Sequence, residues 1–197
     1  MMSQSRHEER QQRLKEKVDA RIEAAQIERG IVIVFTGNGK GKTTAAFGTV
    51  CRAVGHGKKA AVVQFIKGGW DNGERELLEP QGVPFYVMST GFTWETQNKE
   101  TDTLACIETW HYAKQLLSDP QYDLVILDEL TYMVSYHYLE LAEVIQALQS
   151  RPANQSVVIT GRGCHRDLIE LADTVTEMRP VKHAFDIGIK AQKGIDW

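Results

Sequence analysis

Apolar residues fall along this chain in short dense runs, separated by polar and glycine-rich stretches. The runs at 31–35 (IVIVF), 60–66 (AAVVQFI), 83–88 (VPFYVM), 122–129 (YDLVILDE), 156–160 (SVVIT) and 174–178 (TVTEM) read as strands. In the runs at 31, 60, 122 and 156, near-continuous apolar character is the mark of strands buried on both faces. Helical stretches alternate with them. Residues after position 44 (AAFGTVCRAV) are good helix formers, stopped by Gly55 and Gly57. Residues 74–78 make a short helix ended by Pro80-Gln81-Gly82. Residues 101–118 carry Leu104, Ile107, Ala113, Leu116 and Leu117, with Thr101 or Asp102 as the N-cap and Pro120 as the stop. Residues 139–148 form a further helix, and LTYMVSYHYLE before it reads as packing or a subunit contact. Strand and helix in alternation predict an α/β fold: one domain, a mainly parallel six-stranded sheet, helices on both faces.

The first 28 residues stand apart as an arm before the domain at 29–197. Residues 3–29 are strongly polar and helix-forming, with a narrow apolar stripe of Leu14, Val18, Ile22 and Ala25. The first dozen residues lack the stripe and are expected to be disordered. The arm is either a solvated, weakly docked helix or a mobile piece that closes over a substrate. The C-terminal stretch PVKHAFDIGIKAQKGIDW lacks periodicity and covers either the sheet edge or a nucleotide.

Composition narrows the function. With 197 residues the chain can bury a proper α/β core. A net charge of −3 gives no general drive toward nucleic acid or a membrane surface. The three cysteines, Cys51, Cys106 and Cys164, lie far apart, which argues against a zinc knuckle or a disulfide framework and fits a reducing compartment. No run approaches the roughly 18 apolar residues of a membrane span, and the charged N-terminus is unlike a secretory signal. The cytoplasm is the expected location.

The chemistry concentrates where the first strand ends. TGNGKGKTT at 36–44 matches G-x-x-x-x-G-K-[ST] except for Thr36 at the leading position. A strand, a glycine-rich turn and a helix in this order form a phosphate cradle. The backbone N–H groups of Gly37, Asn38, Gly39, Lys40, Gly41, Lys42, Thr43 and Thr44 turn toward the anion, and the helix N-terminus adds unpaired donors. Lys42 reaches the terminal phosphates and the Thr43 hydroxyl holds magnesium. A glycine turn that binds nothing would leave the lysine and two hydroxyls at the helix start unexplained. Asp128 and Glu129, two carboxylates ending a buried strand, are the expected metal partners of such a loop, their roles undivided. The bland alternative is a pair of strand-end caps.

Other candidates sit at the same sheet edge. Arg162, in GRG after the fifth strand, is a candidate phosphate contact. His165 and Arg166 open the next helix as ligands or as caps. Cys164 beside His165 is not a nucleophile–base pair, because adjacent residues point apart. Lys67, Trp70 and Arg75 lie in or beside the loop KGGWDNGER, which either serves a substrate or is an ordinary exposed loop. Phe92 and Trp94, in the polar loop STGFTWETQNKE, either fold back onto the core or meet a flat ligand.

The cradle implies a triphosphate and a divalent cation, magnesium or manganese, without naming the reaction. No N-K-x-D motif supports a GTPase. Three dispersed cysteines do not make the four-cysteine zinc site of a thymidine kinase. Net acidity and the lack of a basic groove oppose a recombinase or helicase. A phosphate-loop ATPase acting as motor or switch is the rival from another class, and a non-catalytic ATP-binding module is a third possibility.

The segments TGNGKGKTTAAFGT, VVQFIKG, NGE, TGFTW, DLVILDE, ITGRG and VKHAFD together resemble the ATP:corrinoid adenosyltransferases of the CobA/BtuR type, from about residue 28 to the C-terminus. Thr36 in place of the leading glycine belongs to that pattern. The resemblance implies a RecA-like phosphate-loop NTPase fold. It also implies transfer of the 5′-deoxyadenosyl group of ATP to cobalt(I) of a corrinoid such as cobalamin or cobinamide, with triphosphate leaving and ATP held reversed in the loop. It implies a catalytic part for Lys42. Phe92 and Trp94 would lie beneath the corrin ring and displace its lower axial ligand. It further implies a flavodoxin-like reductant and a homodimer, with the N-terminal helix closing over a site.

Overall fold

The computed structural model describes residues 2–66, 72–89 and 99–196, the side chains of residues 2–6 excepted. Each apolar run becomes a strand: β1 (Val32–Thr36), β2 (Ala60–Gln64), β3 (Phe85–Val87), β4 (Leu124–Asp128), β5 (Ser156–Thr160) and β6 (Thr174–Glu177). They pair in the order β3-β2-β4-β5-β1-β6, parallel at every interface. The expected α/β sheet is present, and all its strands run one way. β3 is three residues rather than six. It is an edge strand, and Pro84 ahead of it has no N–H for a ladder.

Helices lie on both faces because successive strand side chains point to opposite sides. Val63, Val125, Leu127 and Ile159 face a core closed by Trp110 and Leu117 of α4 (Lys99–Ser118), Met133 of α5 (Leu130–Ser135), Leu148 of α6 (Leu141–Ser150) and Leu168 of α7 (Arg166–Leu171). Val62, Ile126 and Val158 face a second core, closed by Phe47 and Val50 of α2 (Lys42–Gly55) and Leu78 of α3 (Gly73–Leu78).

Helix α4 corrects two expectations. It begins at Lys99, so Thr101 and Asp102 sit in its first turn and neither is its N-cap. Its inner face is Asp102, Ala105, Cys106, Thr109, Trp110, Ala113, Leu116 and Leu117, while Leu104 is 69% and Ile107 51% exposed. The spacing of that face is helical, but two polar members disguise it. Trp110 sets the orientation by packing toward Phe65, ring centroids 6.5 Å apart.

Helix α1 (Met2–Ala24) is continuous, including the first dozen residues expected to be disordered. Glu, Arg, Gln and Lys all favour helix. Every described side chain on it is exposed, and Leu14, Val18 and Ile22 belong to neither core of the described residues.

Because all strands are parallel, their C-terminal ends share one edge. β5 lies between β1 and β4, so the end of β5 separates the phosphate loop from the two carboxylates.

Candidate functional site

The loop between β1 and α2 has a shape that only glycine permits at two points. Gly37 has φ 94° and Gly41 φ 102°, both in the left-handed region. A Cβ on Gly37 would come 2.4 Å from the Met178 carbonyl oxygen, and one on Gly39 would lie 2.8 Å from it. The chain after β6 therefore forms the floor of the loop. Gly39 N–H donates to the Met178 carbonyl at 2.7 Å and Met178 N–H to the Thr36 carbonyl at 2.8 Å. Gly41 precedes α2 without any side-chain cap, so the first N–H groups of that helix have no intramolecular partner of this kind. Lys42 is buried, its ammonium donating to the Gly39 carbonyl at 2.7 Å, and burial pulls its pKa down. Glu129 and Asp128 oppose that shift only in part, and a bound phosphate would add negative charge beside the ammonium. Asn38, Lys40 and Thr44 are exposed around the cradle, and Lys40 forms an ion pair with Asp196 of the tail. The tail thus returns to the loop and lies against it.

Asp128 stands at the centre of the edge, only 2% exposed. Its Oδ1 accepts from the Thr43 hydroxyl at 2.9 Å and the Thr160 hydroxyl at 2.6 Å, and its Oδ2 accepts from Gln64 Nε2 at 3.0 Å. Burial pushes its pKa up, opposed by these three hydrogen bonds, which favour the ionised form. Glu129 follows in the left-handed region (φ 60°), at the abrupt turn from β4 into α5. Its N–H donates to Thr160 Oγ1 at 2.9 Å, while its buried Oε2 has no partner. Burial, reinforced by Asp128, raises its pKa from the ordinary 4.5 to about 7, against the pull of Lys42 and Arg162. Arg162 is exposed, close enough to Lys42 and Glu129 to influence both. Two neighbouring carboxylates are thus distinguished: both oxygens of Asp128 accept hydrogen bonds, while Glu129 Oε2 accepts none.

The donors fit a hard divalent cation. Among the described residues no three His, Cys, Asp or Glu side chains are grouped as a metal cage. Magnesium needs none; it takes one or two carboxylates with substrate phosphates. Thr43 donates its only proton to Asp128 and keeps lone pairs for a cation, and the unpaired Oε2 of Glu129 lies buried at the same edge.

His165 is a cap: its side chain accepts from Asp167 N–H at 3.2 Å and opens α7. The Cys164 thiol is pushed up to about 11 by burial, as unsuited to nucleophilic attack as its sequence position suggests. Arg75 pairs with Glu79 at 2.8 Å on the surface of α3. Lys67, Trp70, Phe92 and Trp94 lie outside the described residues. Gln64, Asn72, Thr160, Thr131 and Met178 were not anticipated as site residues. One signal was available: Gln64 is the only polar residue in the apolar run AAVVQFI.

Gly161, after β5, has φ 136°, and a Cβ there would lie 2.0 Å from Thr131 Oγ1. Thr131 cannot yield easily, since its hydroxyl donates to the Arg162 carbonyl at 2.7 Å. Gly161→Ala is therefore expected to destabilise the protein by about 2 kcal/mol or more, read by denaturant unfolding.

The sequence profile of the ATP:corrinoid adenosyltransferases BtuR/CobO/CobP matches residues 28–197. The chain belongs to this family. It is 71% identical over 196 residues to the corrinoid adenosyltransferase of Escherichia coli K12, covering 100% of both chains. Its identity to the corrinoid adenosyltransferase CobA of Salmonella typhimurium LT2 is 68%, again over 100% of both. The corrinoid adenosyltransferase of Pseudomonas aeruginosa PAO1 is 52% identical over 98% of this chain and 96% of that one. The adenosyltransferase family extends over the cradle, the carboxylates and the tail alike, so the resemblance seen in the motifs holds over the whole domain.

The raised pKa of Glu129 gives a pH signature for the ligand-free adenosyltransferase. Between 4.5 and about 7 the folded state holds a proton that the unfolded state has released. The contribution of Glu129 to stability is thus greatest below 4.5 and is lost as pH rises through about 7. Glu129→Gln is expected to remove this fall, so that its melting temperature gains on the wild type as pH rises from 5 to 7.5 in ~0.5-unit steps.

Proposed function

We propose that this adenosyltransferase moves the 5′-deoxyadenosyl group of ATP to the cobalt of a reduced corrinoid, cobalamin or cobinamide. Cobalt(I), the substrate's own nucleophile, gives its electron pair to the ribose C5′. The C5′–O bond breaks and its electrons leave on the oxygen of an intact triphosphate. No protein side chain need become covalently attached.

The observation that carries this reading is the cradle, in a chain of this family: uncapped α2 N–H groups, buried Lys42, and Thr43 tied to Asp128. Preorganised donors of this kind stabilise charge as it develops on a leaving group. Lys42 and the N–H groups of residues 37–44 would hold the phosphates, with Arg162 at the rim. Thr43, Asp128 and Glu129 would hold magnesium or manganese, which when bound neutralises charge on the departing triphosphate. Positioning two reactants supplies much of the remaining rate gain. Phe92 and Trp94 would lie under the corrin ring, excluding its lower axial ligand and making cobalt(II) easier to reduce. The arm, residues 1–28, would close over a site. The exposed stripe on α1 supports that reading, because an apolar face in water suits docking on a second subunit of a homodimer. A flavodoxin-like protein would deliver the electron in the cytoplasm. Among the described residues no helix is long and apolar enough to cross a membrane.

The test is incubation with ATP, magnesium, a corrinoid and a strong reductant. Triphosphate with a light-sensitive alkylcobalt product is the expected result. ADP and phosphate released regardless of corrinoid would replace it with the ATPase reading.

A further inference from the structure

Two polar residues in the motifs VVQFIKG and NGE have no part in the mechanism above, yet both are buried. Gln64 is 4% and Asn72 9% exposed. Parallel pairing of β2 with β4 sets Gln64 directly beside Asp128. Asn72 is the N-cap of α3, its Oδ1 accepting from Arg75 N–H at 3.2 Å. Asn72 Nδ2 then donates to Gln64 Oε1 at 3.2 Å, and Gln64 Nε2 donates to Asp128 Oδ2 at 3.0 Å.

The polarity of this chain is fixed at its origin. A backbone N–H is always a donor, so the Arg75 N–H demands the oxygen of Asn72. That leaves the amide nitrogen of Asn72 for Gln64, which must answer with its own oxygen. The nitrogen of Gln64 is then aimed at Asp128. An acceptor-only carboxylate is what such a donor requires. Thr160 and Thr43 meet the other carboxylate oxygen, so the ring of donors holds one orientation of Asp128.

We propose that Gln64 and Asn72 are positioning residues for adenosyl transfer: they fix the Asp128 carboxylate so that it faces Thr43 and the phosphate cradle. The inference rests on the reading of Asp128 as a phosphate-side, cation-holding carboxylate. Neither residue touches the reacting atoms; they act through Asp128, as outer partners of metal-holding carboxylates do.

Asn72→Ser separates capping from positioning. Serine caps a helix as well as asparagine does but is too short to reach Gln64. The full-length chain with Asn72→Ser, Gln64→Met or Asp128→Asn is compared with wild type in three measurements: melting temperature, ATP binding by calorimetry with and without magnesium, and steady-state adenosylation. Asn72→Ser is expected to keep its melting temperature and its magnesium-free ATP affinity. It should lose about tenfold in the magnesium-dependent gain in ATP affinity and in kcat/KM. Gln64→Met should lose at least as much, and it decides the matter if Asn72→Ser folds poorly. If Asp128→Asn suffers while both other variants bind magnesium–ATP as wild type does, the positioning role is overturned and the role of Asp128 stands. If Asp128→Asn is itself unaffected, the reading of Asp128 falls and the positioning role with it.

Discussion

Replacing Lys42 with alanine is expected to lower kcat/KM for ATP by about a thousandfold or more, the scale of losing a preorganised donor to a developing anion. Folding should survive. The Lys42 ammonium is buried with a backbone carbonyl, not a carboxylate, as its hydrogen-bond partner. Desolvation already weighs against its charge. Removing it relieves that cost, so the melting temperature should hold or rise while activity collapses. Lys42→Arg should not rescue activity, because a planar fork cannot occupy the place of a compact ammonium within the loop. A fully active alanine variant would sink the cradle reading.

The second large effect concerns the aromatic loop. Phe92→Ala combined with Trp94→Ala is expected to leave ATP affinity intact and to abolish adenosylation when cobalt(II) corrinoid is supplied with a mild reductant. Supplying corrinoid already reduced to cobalt(I) should restore much of the turnover, since the step that the aromatics ease has then been completed in advance. Unchanged turnover on cobalt(II) would remove the role assigned to the pair. Loss of ATP binding would instead make the loop part of the nucleotide site.

The two predictions probe different ends of one reaction. In the proposed reaction Lys42 would act on the triphosphate that leaves, and the aromatics on the metal that attacks. In a conventional phosphate-loop enzyme the bond broken would lie within the phosphate chain. In the proposed transfer the phosphate chain would stay whole, so the cradle would serve as a leaving-group site. The hydrogen bonds of Asp128 and the unpaired oxygen of Glu129 distinguish the two carboxylates. DLVILDE alone left them equivalent.

Local chemistry was legible in the chain itself. Each of the six strands coincides with an apolar run to within a residue or lies inside it, and the phosphate loop is recognisable from glycine spacing and Lys42 alone, because neighbouring residues dictate strand, turn and helix start. The face of α4 was not legible, since its inward stripe includes Asp102 and Thr109. Nor was the floor under the loop, where Met178 meets Gly37 and Gly39. The Thr43–Asp128 bond spans 85 residues, the Gln64–Asp128 bond 64 and the Lys40–Asp196 pair 156. Such partners are chosen by strand order and register, which bring Gln64, Asp128 and Thr160 side by side at one sheet edge. Local residue patterns thus account for the glycine loop and for the parallel sheet that carries it. The side chains that bond the Asp128 carboxylate beside that loop emerge from the folded chain alone, because hydrogen bonds between distant residues depend on a register that no local pattern encodes.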